Sequence, residues 1–361
     1  MREGVWGGRP PEAIELPWAE RGAVVCGDGD YDAPALVRLA EQAGWPVLAE
    51  PSSGARHGPN ALAAYPYLLA APGFAAAHRP DVLVSAGRPG LSRAQLAFVG
   101  SAARHVVIAQ GPGRWADPKR SATDVAAAVR LTGVPAARSP EWLDGWRSAD
   151  AAARRAVDAV LDESDWLTEP RLARDLAAGV PDGALLWAGN SMPVRDLDSQ
   201  CRPRAGITVM ASRGTSGIDG SASAAIGAAL AHGGPAFALI GDLALLHDAA
   251  GLALGPDEPR PDLCLIVVNN DGGGIFSGLE QAAFPQAFER LFGTPHRANF
   301  SHLAAAFGLP YQRLDQPDDL AKALAGTGLR VAEAPSDRAA AAALRARLQA
   351  AATEALAGLA R

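Results

Sequence analysis

The chain has 361 residues, 48% of them hydrophobic and 20% charged, and its formal net charge at pH 7 is −6. This composition supplies a large apolar core and excludes global disorder, and at about 150 residues per domain the length predicts two domains. A net negative charge argues against a nucleic-acid partner and against an anionic membrane surface.

The three cysteines are Cys26, Cys201 and Cys264, an odd count without metal-ligand spacing. Unpaired cysteines are typical of reducing compartments. No apolar run reaches the roughly 20 residues of a membrane helix, so no integral membrane contact is expected. The first residues do not resemble a secretory signal. We therefore expect a cytoplasmic protein.

Residues 1–20 are rich in Pro, Gly and Trp and are predicted to be a tail or linker. From Arg21 onward, short apolar runs alternate with amphipathic stretches, which predicts parallel strands joined by helices. Strands are expected at 23–26, 45–50, 81–87 and 105–109, and helices at 32–43, 60–70, 92–102 and 121–131. Residues 21–145 are thus predicted to form a central Rossmann-like domain.

A charged linker helix is predicted at 146–168, and a second alternating series occupies 169–361. Its strands are expected at 184–188, 206–210, 236–240, 263–268 and 329–333, and its helices at 169–179, 219–232, 244–254, 299–307, 317–325 and 336–358. The predicted fold class is therefore α/β, with two doubly wound parallel-sheet domains.

Polar residues follow two neighbouring predicted strands. Asp242 follows the run 238–241, and the pair Asn269-Asn270 follows the run 263–268. Parallel sheets place ligands at the carboxyl ends of their strands. Mg²⁺ takes about six oxygens, only some of them from protein and the rest from waters and phosphates. The pattern predicts that Asp242, Asn270 and the carbonyl of Gly272 hold a cation that binds a diphosphate. The alternative is an ordinary strand–helix–strand unit with polar turns.

Two further turns are expected at the same edge, Gly189–Asp196 after one strand and Ala211–Gly220 after another. The first offers main-chain N–H groups and the hydroxyl of Ser191 to phosphate oxygens. Arg195 and Arg213 come from these turns, and an Arg fork matches a carboxylate, so both are candidates for substrate binding. Structural ion pairs with Asp196 or Asp198 are the alternative.

Apolar residues in these turns have two interpretations each. Ile218 is either core filler or a wedge under a flat cofactor ring. Ile275 and Phe276 either line a cofactor pocket or belong to the core. The pair His247-Asp248 is either catalytic or the first turn of a helix, and we favour the structural interpretation.

Together these motifs resemble those of thiamine-diphosphate enzymes, and most of all the 2-succinyl-5-enolpyruvyl-6-hydroxy-3-cyclohexene-1-carboxylate synthases of menaquinone biosynthesis. The segments that carry the resemblance are Gly-Asn-Ser-Met-Pro-Val-Arg-Asp (189–196), Ser-Arg-Gly-Thr-Ser-Gly-Ile-Asp-Gly (212–220), Gly-Asp-Leu-Ala-Leu-Leu-His-Asp (241–248) and Val-Val-Asn-Asn-Asp-Gly-Gly-Gly-Ile-Phe-Ser (267–277). Weaker similarity covers 49–56 and 85–93 of the first domain.

The resemblance implies a transferase that joins decarboxylated 2-oxoglutarate to isochorismate, with thiamine diphosphate and Mg²⁺ or Mn²⁺ as cofactors. It implies that Asp242, Asn270 and Gly272 hold the metal, and that Arg195, Arg213 and, more weakly, Arg93 bind substrate carboxylates. The implied cofactor-binding residues are Asn190, Ser191, Ile218, Gly241, Asp242, Leu243, Asn270, Ile275 and Phe276.

The resembling family also has an N-terminal pyrimidine-binding domain, which holds the glutamate that activates the cofactor. No segment of 1–20 matches it, so no catalytic residue is assigned, and we expect this chain alone to be incomplete. A homo-oligomer (dimer or tetramer) or a separate N-terminal chain would complete the site. The alternative is a cofactor-binding remnant with an assembly role and no turnover. A nicotinamide-binding protein is disfavoured, because Gly27-Asp-Gly-Asp30 lacks the G-x-G-x-x-G pattern.

Overall fold

The computed structural model describes residues 12–109, 115–163 and 166–359. The chain divides into two compact units. The first comprises Met1–Val157, Pro203–Ala205 and Gln349–Arg361, and the second comprises Asp158–Arg202 and Gly206–Leu348.

Within the described part of the first unit, parallel strands alternate with helices. The strands are β1 (Ile14–Pro17), β2 (Gly22–Cys26), β3 (Val47–Ala49), β4 (Val82–Ala86), β5 (Arg104–Ile108), β6 (Asp124–Ala126) and β7 (Val129–Thr132). The helices are α1 (Ala33–Ala43), α2 (Tyr65–Ala70), α3 (Pro72–Ala77), α4 (Arg93–Val99) and α5 (Glu141–Asp162), which ends in the second unit. One parallel sheet has the order β3-β2-β4-β5-β6. Its strands β2 and β4 are buried at every residue, as in sheets covered on both faces.

The prediction of a helix at 121–131 is wrong, because this stretch forms β6 and β7. β6 pairs with β5, and β7 pairs with β1. The run Asp124–Val129 is rich in Ala and has high intrinsic helix propensity, which strand pairing overrides here. β1 lies inside the segment predicted as a tail or linker, and its Leu16 is fully buried. Residues 1–11 of that segment lie outside the described residues.

The second unit repeats the alternation. Its described strands are β8 (Leu185–Ala188), β9 (Thr208–Ala211), β10 (Ala236–Gly241), β11 (Leu263–Asn269), β12 (Tyr311–Arg313) and β13 (Arg330–Pro335). Its helices are α6 (Glu169–Gly179), α7 (Met192–Gln200), α8 (Ser221–His232), α9 (Asp242–His247), α10 (Pro285–Phe288), α11 (Phe300–Ala306), α12 (Pro317–Ala325) and the first part of α13 (Arg338–Leu359). The predicted helix 244–254 is shorter than expected, since α9 ends at His247 and a 3₁₀ turn follows at Ala249–Leu252.

The strand order of this second sheet is β12-β13-β11-β10-β8-β9. The side on which successive strands are added to the sheet changes at β8. From β8 the chain moves outward to β9, and it then returns to β10 on the other side of β8. Ligands of open parallel sheets bind where the strand order reverses, at the carboxyl ends of the strands. The topology therefore directs attention to the turns after β8 and β10.

The two large sheets and the two-stranded β1-β7 sheet confirm the α/β class, with parallel pairing throughout the described strands. Among the described residues, no helix combines the length and the apolar character that a membrane span requires.

Candidate functional site

Asp242 is the first residue after β10, and only 2% of it is exposed. Its Oδ2 accepts hydrogen bonds from the main-chain N–H groups of Asn270 and Gly272, both at 3.0 Å, and its Oδ1 accepts one from Leu243 at 2.6 Å. Burial raises the pKa of the Asp242 carboxyl, and the Gly272 N–H and the imidazole of His296 oppose that rise. The carboxylate therefore ties the end of β10 to the turn after β11.

Asn270 and Gly272 complete the predicted cation set. The Asn270 carboxamide donates from Nδ2 to Glu169 at 2.8 Å, whereas no donor among the described residues reaches its buried Oδ1. The Gly272 carbonyl accepts one hydrogen bond, from Gly274, and keeps a second lone pair. A buried amide oxygen without a donor needs an explanation, and a bound cation is one. A carboxylate, an amide oxygen and a main-chain carbonyl fit the oxygen preference of Mg²⁺.

A site rich in other metal ligands is not found: among the described residues, no group of three or more His, Cys, Asp and Glu side chains could hold a metal. A metal bound at Asp242 would therefore depend on the mixed oxygen set of this turn.

The two adjacent asparagines have different partners. Asn269 donates to Glu333 on β13 at 2.7 Å and accepts from the N–H of Asp271, so it holds the sheet and the turn together. Asn270 lies at the cavity described below. Asp271 in turn accepts from the N–H groups of His296 and Arg297, at 2.9 and 2.7 Å.

His296 comes from the segment that Asp271 holds, and sequence reasoning missed it. Its Nε2 lies 3.2 Å from Oδ2 of Asp242. Its Nδ1 accepts from the N–H of Ala298, which leaves the proton of a neutral ring on Nε2. No strand end or glycine-rich motif adjoins His296, so nothing in the sequence marks it as a neighbour of the acid.

The turn after β8 places Ser191 at φ +70°, a positive value that is costly for a residue with a side chain. Such strain is concentrated at functional sites. Before it, the buried Asn190 donates to the carbonyl of Gly217 at 2.8 Å and accepts from Arg213 at 3.1 Å. These contacts join the turns after β8 and β9.

The arginines predicted to bind substrate occupy different surroundings. Arg195 lines the cavity and donates to the carbonyl of Ser191 at 2.7 Å. Arg213 has a buried Nε that no acceptor among the described residues contacts. Arg93 is exposed at the start of α4 in the first unit, and it is not among the residues that line the cavity described below.

One cavity of about 370 Å³ in the second unit collects most of the predicted residues. The predicted residues that line it are Asn190, Ser191, Arg195, Ile218, Gly241, Asp242, Leu243, Asn270, Gly272, Ile275 and Phe276. Ile218 is 36% exposed, so it is not core filler. Asp242 and Asn270 form a polar patch beside apolar side chains, an arrangement typical of small-molecule sites. The individual roles of these residues stay predictions.

The pair His247-Asp248 belongs to the helix framework. Asp248 accepts from the N–H of Ser223 at 2.7 Å and from its hydroxyl at 3.0 Å, in the first turn of α8. His247 is exposed and does not line the cavity. These contacts favour the structural interpretation.

Comparison with known proteins gives two findings. Residues 195–330 match the family described as thiamine pyrophosphate enzyme, C-terminal TPP binding domain. The chain is also similar to three proteins named 2-succinyl-5-enolpyruvyl-6-hydroxy-3-cyclohexene-1-carboxylate synthase. It is 57% identical to the one from Thermobifida fusca over 94% of this chain and 61% of the relative. It is 41% identical to the one from Saccharopolyspora erythraea, over 96% of this chain and 62% of the relative. It is 42% identical to the one from a Nocardioides species, over 90% of this chain and 62% of the relative. The chain thus spans 61–62% of the length of these relatives.

Proposed function

We propose that the chain belongs to the thiamine pyrophosphate enzymes and is the larger part of a 2-succinyl-5-enolpyruvyl-6-hydroxy-3-cyclohexene-1-carboxylate synthase. It would bind thiamine diphosphate through Mg²⁺ or Mn²⁺ in the cavity of the second unit. The single observation that carries the cation site is the buried Oδ1 of Asn270, which lacks a donor among the described residues, in a residue that lines the same cavity as Asp242.

Each part of the cavity has a proposed task. Asp242, Asn270 and the carbonyl of Gly272 hold the cation, and the turn at Asn190-Ser191 receives the diphosphate oxygens. Ile218, Ile275 and Phe276 supply apolar walls for the cofactor rings, with Gly241 and Leu243 beside them. When bound, thiamine diphosphate supplies the stabilisation of a carbanion that decarboxylation of a 2-oxo acid requires.

The proposed substrates are 2-oxoglutarate and isochorismate, which carry several carboxylates between them. Arg195 lines the cavity, so it can orient a carboxylate by a charge-assisted hydrogen bond. Arg213 does not line the cavity, but it donates to Asn190, which does, and it is the second proposed substrate-binding arginine. Arg93 is a weaker candidate, because it belongs to the other unit. The synthase interpretation is favoured over the remnant with an assembly role, because similarity to the synthases extends over 94% of the chain.

We propose that protein outside residues 1–361 completes the active site. The chain spans only 61% of a relative at 57% identity, and the resemblance implies an activating glutamate in a pyrimidine-binding domain. A homodimer or larger oligomer is the proposed active form. Met210 in β9 and Ile218 in the turn after it are 44% and 36% exposed, and we propose that further protein covers them.

A cytoplasmic location is proposed with this function. Cys26, Cys201 and Cys264 are buried thiols, as expected in a reducing compartment. Burial raises the pKa of Cys26 to about 12 and that of Cys264 to about 11, so both stay as unreactive thiols at neutral pH.

A turnover assay tests the proposal. The 361-residue chain is incubated with isochorismate, 2-oxoglutarate, thiamine diphosphate and Mg²⁺, alone and with the part of the Thermobifida fusca relative that it does not match. Product formation, followed by mass spectrometry, is expected only when the added part is present, and it should vanish in Asp242→Ala. Product in neither mixture, together with no Mg²⁺-dependent binding of thiamine diphosphate, would leave the assembly role as the better interpretation.

A further inference from the structure

Glu169 opens α6, outside the region 195–330 that matches the cofactor-binding family, and yet it lines the cavity of the second unit. Only 3% of it is exposed. One carboxylate oxygen, Oε1, accepts from Nδ2 of Asn270 at 2.8 Å, and the other, Oε2, accepts from Nη2 of Arg345 at 2.5 Å. Both oxygens of Glu169 therefore have a donor.

Arg345 holds Glu169 in place from α13. Its Nε donates to Oδ1 of the buried Asp196 at 2.9 Å, and its Nη2 lies between the carboxylates of Asp196 and Glu169. Asp196 is 4% exposed and Asn270 is 9% exposed, so the contacts are largely shielded from water. Charge-assisted bonds in such surroundings restrict side-chain rotation strongly.

The contact decides which way the Asn270 carboxamide faces. A carboxamide has one donor end and one acceptor end, and a carboxylate can only accept. Because Glu169 accepts from Nδ2, the acceptor Oδ1 must occupy the opposite side, where no donor among the described residues meets it. The reversed orientation would set two acceptors against each other and present N–H groups to a cation.

We propose that Glu169, fixed by Arg345, is a positioning residue that holds Oδ1 of Asn270 in the orientation needed to bind the cation. This inference rests on the proposed cofactor site and adds three residues to it, Glu169, Asp196 and Arg345. Residues that orient a metal ligand act through that ligand, and their replacement typically weakens metal affinity ~10–100-fold.

The variant Glu169→Gln tests the orientation directly. Gln has a single acceptor oxygen, and the charged Arg345 attracts it more strongly than the neutral Asn270 does. The Gln Nε2 then faces Asn270, which must rotate its amide and present Nδ2 to the cation. We expect Mg²⁺-supported binding of thiamine diphosphate, measured by calorimetry on the 361-residue chain, to weaken ~10–100-fold. Unchanged affinity would overturn the proposal.

A compensating variant separates orientation from general damage. In Asn270→Asp alone, the introduced carboxylate faces that of Glu169. In the double variant with Glu169→Gln, the introduced carboxamide can donate from its Nε2 to the introduced carboxylate. We therefore expect Asn270→Asp to lower the urea midpoint of the ligand-free chain, but to raise it in the Glu169→Gln background. The double variant should also bind Mg²⁺ and thiamine diphosphate more tightly than Glu169→Gln. If the effects of the two substitutions on the urea midpoint simply add, the proposal is wrong.

Glu333→Gln is the matched control. Glu333 accepts from Asn269 just as Glu169 accepts from Asn270, one residue away, and it is also buried, but it does not line the cavity. This control should lower the urea midpoint and leave Mg²⁺-dependent binding unchanged. If the parent chain shows no such binding and no product forms in the turnover assay, the proposed function fails, whereas the stability cycle of the ligand-free chain still decides whether Glu169 orients Asn270.

Discussion

The adjacent residues Asn269 and Asn270 make different contacts because successive residues at a strand end point to opposite sides. Asn269 donates to Glu333, and Asn270 donates to Glu169 while its Oδ1 stays at the cavity. The sequence predicted the pair and its position after a buried strand. It could not predict Glu169, whose contact with Asn270 spans 101 residues of chain. It could not predict Arg345 either, because its contact with Glu169 spans 176 residues.

Gly272 is a position where a side chain cannot be accommodated. Its φ is +136°, and an added Cβ would lie 1.8 Å from the carbonyl oxygen of Gly293. Gly272→Ala must distort the turn that donates to Asp242, so we expect a loss of at least about 2 kcal/mol in the free energy of unfolding. Urea unfolding followed by circular dichroism measures it.

Gly278→Ala is the control for this substitution. An added Cβ at Gly278 meets no atom within 4 Å, so its effect should stay within about 0.5 kcal/mol. Equal urea midpoints for the two variants would show that the turn after β11 tolerates a side chain and that its tight packing is unimportant.

At the scale of elements, the predictions succeeded where apolar runs were bounded by turn residues. The strands that begin at residues 22, 82, 236 and 263 lie where the apolar runs predicted them and are buried almost throughout. The exceptions are elements that depend on distant partners. β6 and β7 form because β5 and β1 offer free edges, and the local sequence Asp-Val-Ala-Ala-Ala-Val favours a helix. β12 has only three residues, and α7 begins inside the segment 189–196 that was predicted as a turn, so neither was predicted.

β5 carries a buried histidine whose protonation opposes folding. His105 is fully buried, with Nε2 2.7 Å from the hydroxyl of Ser85 and Nδ1 2.9 Å from that of Ser121. Burial lowers the pKa of His105 below its ordinary value of 6.5, against the opposing charge of Asp117. Above the ordinary value the ring is neutral in both states. As pH falls below it, the unfolded chain binds the proton first, and stability declines toward the folded pKa.

The expected outcome is a fall in the free energy of unfolding between about pH 7.5 and about pH 5.5, and a smaller fall in His105→Gln. Burial also lowers the pKa of His78, so part of the slope should remain in that variant and decrease further in the double variant with His78→Gln. Urea titrations at several pH values measure these slopes. A His105→Gln slope equal to that of the parent would mean that the imidazole is not held neutral.

At the scale of the whole molecule, the candidate functional site lies in one of the two units. The matched region 195–330, apart from Pro203–Ala205, and the cavity both belong to the second unit, whereas the first unit has its own α/β fold and core. Similarity to the synthases nevertheless covers 94% of the chain, so both units belong to the part that the relatives share. Two bodies with separate cores can respond differently to one ligand, since a ligand stabilises only the states that bind it.

Hydrogen exchange distinguishes these responses across the molecule. With thiamine diphosphate and Mg²⁺ added, we expect slower exchange in the second unit, above all at the turns 189–191, 212–220, 241–243 and 270–274, because binding suppresses local opening there. Amides of β2 and β4 in the first unit should exchange at unchanged rates. Mg²⁺ without the cofactor and the variant Asp242→Ala are the controls, and both should remove most of the effect. Slower exchange confined to the first unit would place the cofactor elsewhere and contradict the assignment of the cavity.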